Sequence, residues 1–301
     1  MAIQHWLLLI CIQLVWSLSY TAMKWALAEM NVAVLLFLRY GIATFIFALL
    51  FFRKRNLRFQ RHHLWIMLGV GVLNFFISPW LQFTSLRFTQ ATDVSIIVVF
   101  EPLITVIMAA IILKEHPPKT TWVALLLGMI GMLLLSGFPH LSGQIHWVRM
   151  VGNFLFLLSL FCEGTCSVMG RILGGHYHPG ISIAVMTASG FLMGASWNFP
   201  LISQTDFSQI SSRGWAAVSY LAIACGVLGY SLWYRVIQSV PVNHAALSLF
   251  LQPVLGTVFG YFLLHETIGW GSFLGAAMIC ISLIWWQVRS LSNSSRIKQT
   301  D

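Results

Sequence analysis

The chain has 301 residues, of which 58% are hydrophobic and 8% are charged, and its mean hydropathy is +0.82. Soluble domains carry about 25% charged residues, so the composition excludes a soluble globular protein and predicts a polytopic protein of the lipid bilayer. The formal net charge of +9 does not indicate nucleic-acid binding, because most of it belongs to short loops between apolar runs. The five cysteines all lie in apolar runs, so we expect no disulfide framework and no metal site, and no cofactor either.

Ten apolar windows are long enough to cross a bilayer. They fall at about 6–24, 33–52, 64–86, 91–113, 120–137, 150–170, 181–202, 214–234, 243–264 and 268–288. The sequence therefore predicts an all-α integral membrane protein with ten transmembrane helices.

The fourth span, 91–113, carries Glu101 and Pro102 near its centre. An ionised glutamate at the bilayer centre costs about 2.5–3.5 kcal/mol on insertion scales, and a proline removes a helical hydrogen bond and tends to kink the helix. Lipid satisfies neither the carboxyl group nor the freed carbonyl, so this span must border a cavity, a water molecule or a neighbouring helix.

The ninth span repeats the pattern of the fourth. The spacing of 13 residues between Pro102 and Glu115 recurs between Pro253 and Glu266, and Gln252 takes the place of the mid-span glutamate. The repeat makes five spans per half, and because five is odd the two halves must insert with opposite orientations. Inverted repeats with interrupted helices at matching positions are typical of secondary transporters with a site near the midplane.

Lys and Arg residues in short loops set the orientation of the chain. If the N-terminus is cytoplasmic, twelve of these residues fall on the cytoplasmic side and four on the other side. We therefore expect a multi-pass protein with both termini in the cytoplasm. Its repeats would occupy 1–138 and 149–289, and a cytoplasmic tail would occupy 290–301.

Several short segments resemble one known family. They are WSLSYTAMK at 16–24, Arg39, LRFTQATD at 86–93 before Glu101–Pro102, CEGTCSVMGR at 162–171, YSLWY at 230–234, and SVPVNHA at 239–245 before Gln252–Pro253. Together with the ten spans and their repeat, they resemble the drug/metabolite transporter superfamily in its EamA-type branch, over essentially the whole chain. The resemblance implies a bacterial inner-membrane carrier of small metabolites, often an exporter of amino acids or related compounds. It also implies a central cavity lined by spans 1, 3, 4, 6, 8 and 9.

Charged residues inside the spans are the first candidates for the site, because they are costly there unless partnered. Glu101 and Glu163 are candidates to bind a substrate or carry a proton. The alternative for Glu101 is a permanently protonated group that fixes helix packing. The alternative for Glu163 is a hydrated residue near the membrane interface. Arg39 and Lys24 are candidates to bind an anionic group. The alternatives are that Arg39 snorkels outward to the membrane surface and that Lys24 anchors the end of its helix at the interface.

Aromatic and amide side chains form a second set of candidates, because aromatic walls suit amphipathic or cationic ligands. The alternative is that they pack or face lipid, since aromatic residues make up 14% of the chain. This set comprises Trp16, Tyr20, Trp80, Gln82, Tyr230, Trp233 and Gln252. A third set is expected to be structural, as helix breaks and helix ends, and comprises Pro102, Pro253, Glu115 and Glu266.

These patterns favour a secondary-active transporter of amino acids or related amphipathic or cationic compounds, exporter or exchanger, working by alternating access. The sequence has no P-loop (GxxxxGK followed by Ser or Thr), so a substrate gradient, a proton or a counter-substrate is expected to drive it. The alternatives are a channel and an intramembrane enzyme, the latter resting on a short serine-protease-like match at 194–197. We expect no enzymatic activity, and the sequence leaves direction, coupling and oligomeric state open.

Overall fold

The computed structural model describes residues 3–51, 59–89, 94, 97–135, 147–264 and 269–297, and these residues form helices and connections without a β-strand. The long helices are α1 Ile3–Leu27, α2 Val32–Phe51, α3 Arg61–Ser85, α4 Val98–Ile112, α5 Lys119–Leu135, α6 Trp147–Ile172, α7 Pro179–Trp197, α8 Ser212–Ser239, α9 Val242–Leu263 and α10 Trp270–Ile297. A short helix, Phe199–Ser203, and a 3-10 turn, Phe207–Gln209, join α7 to α8.

Eight of these helices are long and apolar enough to cross a membrane, namely all except α4 and α5. Both shorter helices are apolar and coincide with predicted spans, 91–113 and 120–137. Much of the N-terminal part of the 91–113 span lies outside the described residues. The all-helical membrane class is therefore confirmed, and eight of the ten predicted spans meet the length expected of a membrane helix.

Several helix starts are specified by local capping. The side chain of Asn31 accepts a hydrogen bond from the backbone N–H of Val34 at the start of α2, with a distance of 3.0 Å. At the start of α8, the Ser211 hydroxyl accepts from Gly214 N–H at 3.3 Å. Such side chains satisfy backbone donors that have no partner within the helix, so the polar residues between apolar runs set where the helices begin.

The most extensive helix contacts join the two halves of the chain, defined here as α1–α5 and α6–α10. The pairs are α1 with α8 and α9, α2 with α7 and α8, α3 with α6 and α7, α4 with α6 and α9, and α5 with α10. If five is added to both helix numbers of a pair, with α1 following α10, the result is again a pair of this set. Six pairs exchange in this way, and α2–α7, α4–α9 and α5–α10 map onto themselves. The largest buried apolar cluster likewise draws on helices of both halves, so the core belongs to neither half alone.

Glycines allow two of these pairs to approach closely. A Cβ atom at Gly71 of α3 would overlap the Ser189 hydroxyl and the Met186 carbonyl of α7. A Cβ atom at Gly275 of α10 would overlap the backbone of α5 at Gly131. Small residues let helix backbones pack directly against each other in membranes, so these contacts depend on the missing side chain.

Regular α-helical geometry is interrupted in four helices at matching places of the two halves. α3 contains a π-helical segment at Leu73–Ile77, and α8 contains one at Leu221–Gly229. α4 and α9 instead contain 3-10 turns, at Val98–Phe100 and Ser248–Phe250, just before the prolines at their centres. The break predicted at Pro102 is thus a change from 3-10 to α-helical geometry, with the proline in the first turn of the α-helical part.

Candidate functional site

A cavity of about 550 Å³ lies between the two halves and is the candidate site. Small-molecule sites commonly measure about 300–1,000 Å³. Its lining includes side chains of α1, α3, α4, α6, α8 and α9, the six helices that the family resemblance implied. It also includes side chains of α2 and α5, which the resemblance did not imply. The additional contribution from α2 brings in Arg39 and Tyr40.

The two carboxyl groups predicted for the site both line this cavity, but their surroundings differ. Oε1 of Glu163 accepts hydrogen bonds from Nε2 of Gln82 at 2.7 Å and from the Ser78 hydroxyl at 3.1 Å. Glu101 makes no side-chain hydrogen bond within the part of the chain that the structure describes. The two carboxyl groups lie close enough for their charges to interact. The Tyr20 side chain is also close enough to interact electrostatically with each of them.

Tyr20 also connects the two halves across the cavity. Its hydroxyl group is 3.4 Å from Oε1 of Gln252, the second-half counterpart of the mid-span glutamate. Because Tyr20 is 47% exposed and lines the cavity, its ring faces open space rather than a packed interior. A ligand in the cavity would therefore meet this hydroxyl and the Gln252 amide together.

An aromatic wall formed by Trp16, Tyr230 and Trp233 lines the cavity between α1 and α8. The ring centroid of Trp16 lies 5.3 Å from that of Tyr230 and 5.4 Å from that of Trp233. The Trp16 indole donates to the carbonyl of Cys225 at 3.3 Å, inside the π-helical segment of α8. The Trp233 indole donates to the Ser167 hydroxyl at 3.1 Å. The polar edges of both indoles are thus satisfied, and the apolar faces can contact a ligand.

The basic part of the cavity is built by α2 and α3. The guanidinium carbon of Arg39 lies 5.3 Å from the ring centroid of Tyr40. The Tyr40 ring in turn meets the Phe75 ring edge-on at 5.3 Å. Asn74, in the π-helical segment of α3, lines the same cavity as Arg39.

Two predicted residues do not line the cavity. On α3, Pro79, Gln82 and Phe83 line it at helical spacing, whereas Trp80 lies off this face and is 43% exposed. On α1 the last lining residue is Met23, and Lys24 lies one residue beyond it in the last helical turn. The other nine residues selected from the sequence as binding or coupling candidates line the cavity.

Pro102 and Pro253, expected only to shape the backbone, also line the cavity, at the helix breaks of α4 and α9. Glu115 lies outside it and stabilises the start of α9. Its carboxylate accepts from the backbone N–H of Val242 at 2.9 Å, from that of Asn243 at 3.1 Å, and from the Asn243 side chain at 2.8 Å. Its bonds thus run to the other half of the chain rather than to the following helix α5. Glu266 lies outside the described residues.

The sequence reasoning missed Asn74, Ser78 and Tyr40. Asn74 and Ser78 are polar residues within an apolar run, and the same argument that selected Arg39 would have selected them. Tyr40 directly follows Arg39 but carries no such signal, because an uncharged aromatic residue does not stand out in a chain that is 14% aromatic.

Comparisons with known proteins show the family and the fold of the chain. The model of the EamA-like transporter family matches the chain twice, at residues 5–137 and 150–286. The chain is 24% identical over 287 residues to an uncharacterized transporter of Bacillus subtilis (strain 168), YoaV, covering 91% of this chain and 94% of that protein. It is 20% identical over 288 residues to an uncharacterized transporter of Archaeoglobus fulgidus, covering 93% and 97%. A solved crystal structure with 16% sequence identity has the same fold, with a TM-score of 0.79 over 94% of this chain and 96% of that one.

Proposed function

The chain belongs to the EamA-like transporter family, and from this premise we propose that it is a secondary-active transporter of small amphipathic or cationic metabolites, such as amino acids and related compounds. The observation that carries the proposal is the cavity of about 550 Å³ between the halves, lined by two carboxyl groups, a guanidinium group and an aromatic wall. Such a lining fits a zwitterion or an organic cation better than a multiply charged anion.

The proposed architecture has ten spans arranged as two inverted repeats, at 1–138 and 149–289, followed by a tail at 290–301. The helix contacts that recur at an interval of five helices support it, as does the double match to the family model. In this arrangement α4 and α5 also cross the membrane, and together with the eight longer helices they make ten spans. The excess of Lys and Arg in the loops on one side supports placing both termini in the cytoplasm of a bacterial cell, with the protein in the inner membrane.

Transport would proceed by alternating access, with one half rocking against the other around the cavity. The π-helical segments of α3 and α8 and the 3-10 turns of α4 and α9 support this mechanism, because each breaks the regular hydrogen bonding of a helix that lines the cavity. Such breaks are frequent at functional sites and hinges. In this proposal the protein is an exporter or exchanger, and a proton or a counter-substrate supplies the driving force.

The proposal is tested by ligand binding and by flux. Purified protein would be melted in detergent against a panel of amino acids, polyamines, nucleosides and S-adenosyl compounds, since a ligand that binds only the folded state raises the melting temperature. Compounds that stabilise the protein would then be tested for counterflow in proteoliposomes. We expect one chemical class to give both a saturable shift and saturable counterflow.

A matched pair of variants locates the site. Trp16→Leu removes an aromatic residue from the cavity wall, whereas Trp80→Leu removes one that lies outside the cavity. We expect Trp16→Leu to reduce counterflow strongly and Trp80→Leu to leave it near the wild-type level. Equal effects of the two changes, or no binding and no counterflow with any class of compound, would contradict the proposal.

A further inference from the structure

We propose that Arg39 and Asn74 form a carboxylate-binding subsite in the cavity, so that a zwitterionic substrate binds with its carboxylate at these two side chains and its ammonium group towards Glu101 and Glu163. The inference rests on the proposed transport function and deepens it, because it assigns the two ends of the substrate to named side chains. It also gives a role to Asn74, a buried residue of α3.

The first observation is a pair of buried donors without acceptors. Nε of Arg39 and Nδ2 of Asn74 are both buried and have no hydrogen-bond partner among the residues that the structure describes. Asn74 as a whole is only 5% exposed. A buried donor left without a partner costs about 1–3 kcal/mol, and so such atoms are normally satisfied. Both residues line the same cavity, so a ligand bound there lies beside the side chains that carry these two donors.

The second observation concerns how the two side chains are positioned. Tyr40 follows Arg39 and Phe75 follows Asn74, and the rings of Tyr40 and Phe75 are in edge contact with centroids 5.3 Å apart. Phe75 also meets the Tyr230 ring at 5.0 Å. These ring contacts join α2, α3 and α8 next to the two donors. Asn74 lies in the π-helical segment Leu73–Ile77, and such segments often occur at functional sites.

The third observation is that the nearby carboxyl group is already held elsewhere. Glu163 is close enough to Arg39 for their charges to interact, but its Oε1 accepts from Gln82 and Ser78. No ion pair joins Arg39 and Glu163 in the described part of the chain. A guanidinium group presents a planar fork of donors that matches a carboxylate. The Arg39 fork is therefore open to the carboxylate of a ligand.

The chemistry of the remaining lining fits the other end of a zwitterion. Glu101 and Glu163 would attract an ammonium group, and the wall formed by Trp16, Tyr230 and Trp233 would contact an apolar side chain. A ligand with a carboxylate and an ammonium group on one carbon thus meets a complementary group at each end. An amine without a carboxylate would leave the Arg39 and Asn74 donors unpaired.

The test uses matched ligands on the purified full-length protein. Leucine, methionine and phenylalanine would each be compared with the corresponding carboxamide and decarboxylated amine, with dissociation constants measured from tryptophan fluorescence and thermal shift. A hydrogen bond to a charged group contributes enough to change affinity by about 10-fold or more. We expect at least one amino acid to bind wild-type protein about 10-fold more tightly than its amine and its amide.

Three variants test the assigned residues. Arg39→Gln and Asn74→Leu should each lower the affinity for the amino acid to about that of wild-type protein for the amine. Neither should weaken amine binding, and Arg39→Gln should strengthen it, because that change removes a positive charge from the cavity. Asn74→Asp should reverse the preference, because it replaces a donor with a negative charge beside the carboxylate. Retained amine binding shows that each variant is folded, and Trp80→Leu serves as the control outside the cavity. If Arg39→Gln does not fold, Asn74→Leu and the wild-type ligand comparison still decide the question.

Three results would overturn the subsite. The first is wild-type protein that binds the amine as tightly as the amino acid. The second is a variant that loses affinity for both ligands equally. In either case the proposed transport function stands. The third is that no compound of the set binds wild-type protein, which would refute the amino-acid substrate class and the subsite with it.

Discussion

Gln82 of α3 donates a hydrogen bond of 2.7 Å from its Nε2 to Oε1 of Glu163 on α6. The Ser78 hydroxyl, one helical turn earlier, donates to the same oxygen at 3.1 Å. Glu101 has no comparable partner within the described residues, although both carboxyl groups line the cavity. One carboxyl group is therefore fixed by the protein, whereas the other is available to a proton or a ligand.

The lack of a hydrogen-bond partner for the Glu101 carboxyl group among the described residues predicts a role for Glu101 in proton coupling. We expect Glu101→Gln to abolish accumulation driven by a pH gradient in proteoliposomes while preserving exchange of substrate for substrate. The fold should tolerate the change, because Gln252 already occupies the equivalent place in the second half. If Glu101→Gln matches the wild-type protein in both assays, Glu101 is structural and the proton role fails.

The hydrogen bond between Gln82 and Glu163 predicts that substitutions at these two residues have non-additive effects on substrate binding. Gln82→Met keeps the length of the side chain but removes its donor, and a hydrogen bond to a charged group contributes about 1.5–3 kcal/mol. We expect Gln82→Met to weaken substrate binding by about 10-fold or more. The same change made in a Glu163→Gln background should have a much smaller effect, as a double-mutant cycle would reveal. Additive effects would mean that the two side chains act independently.

The Glu115 carboxylate predicts a stabilising contact between the halves. Lys114, just beyond the end of α4, has a left-handed φ of +54°, and Glu115 then accepts from two backbone N–H groups at the start of α9. Loss of a helix cap costs about 0.5–2 kcal/mol. Glu115→Ala should therefore lower the melting temperature in detergent more than Glu115→Gln, which retains an acceptor oxygen. Identical melting temperatures for Glu115→Ala and wild-type protein would exclude a capping role.

Two glycines of α3 predict opposite responses to the same substitution. A Cβ atom at Gly71 would overlap Ser189 and Met186 of α7, whereas one at Gly69 would meet nothing within 4 Å. Gly71→Ala should reduce the melting temperature and the yield of folded protein. Gly69→Ala should be neutral or slightly stabilising, because alanine favours helix by about 1 kcal/mol over glycine. A stable Gly71→Ala variant would show that α3 and α7 can separate without penalty.

Glu29, between α1 and α2, predicts a pH-dependent contribution to stability. Its carboxylate accepts from the backbone N–H of Ser211 at 2.8 Å and from the Ser211 hydroxyl at 2.7 Å. These two hydrogen bonds lower the pKa of Glu29, and the one from the Ser211 hydroxyl has the larger effect. Arg213 lowers the pKa further by a smaller amount. Because the folded-state pKa lies below the unfolded value of about 4.3, the stabilisation is present above that pH and is lost as the pH falls through the folded-state pKa.

The measurement is the melting temperature of wild-type protein and Glu29→Gln between about pH 3 and pH 7. Wild-type protein should be the more stable at neutral pH, and the two curves should converge as the medium becomes acidic. A difference that does not depend on pH would show that the carboxylate charge is not involved.

Apolar runs along the sequence predicted the helical membrane class, and the family resemblance implied six of the helices that line the cavity. The sequence did not assign every helix face correctly. Trp80 and Gln82 are two residues apart on α3, and only Gln82 lines the cavity. Residues two apart on an α-helix point about 200° apart, so only one of the two can face the cavity. The π-helical segment just before them shifts their phase relative to the earlier part of α3, so the pattern of that earlier part does not say which one. The partner of Glu115 lies 127 residues further along the chain, and only the packing of one half into the other brings them together.

The contacts between the halves have a consequence for what the repeats are. The most extensive helix pairs each take one member from α1–α5 and one from α6–α10, so either half alone would expose its packing glycines and its buried polar side chains to lipid. Each half therefore needs the other half to complete its packing. The molecule is in effect two mutually dependent halves held in one chain, and the single chain guarantees that each half meets its partner in equal number.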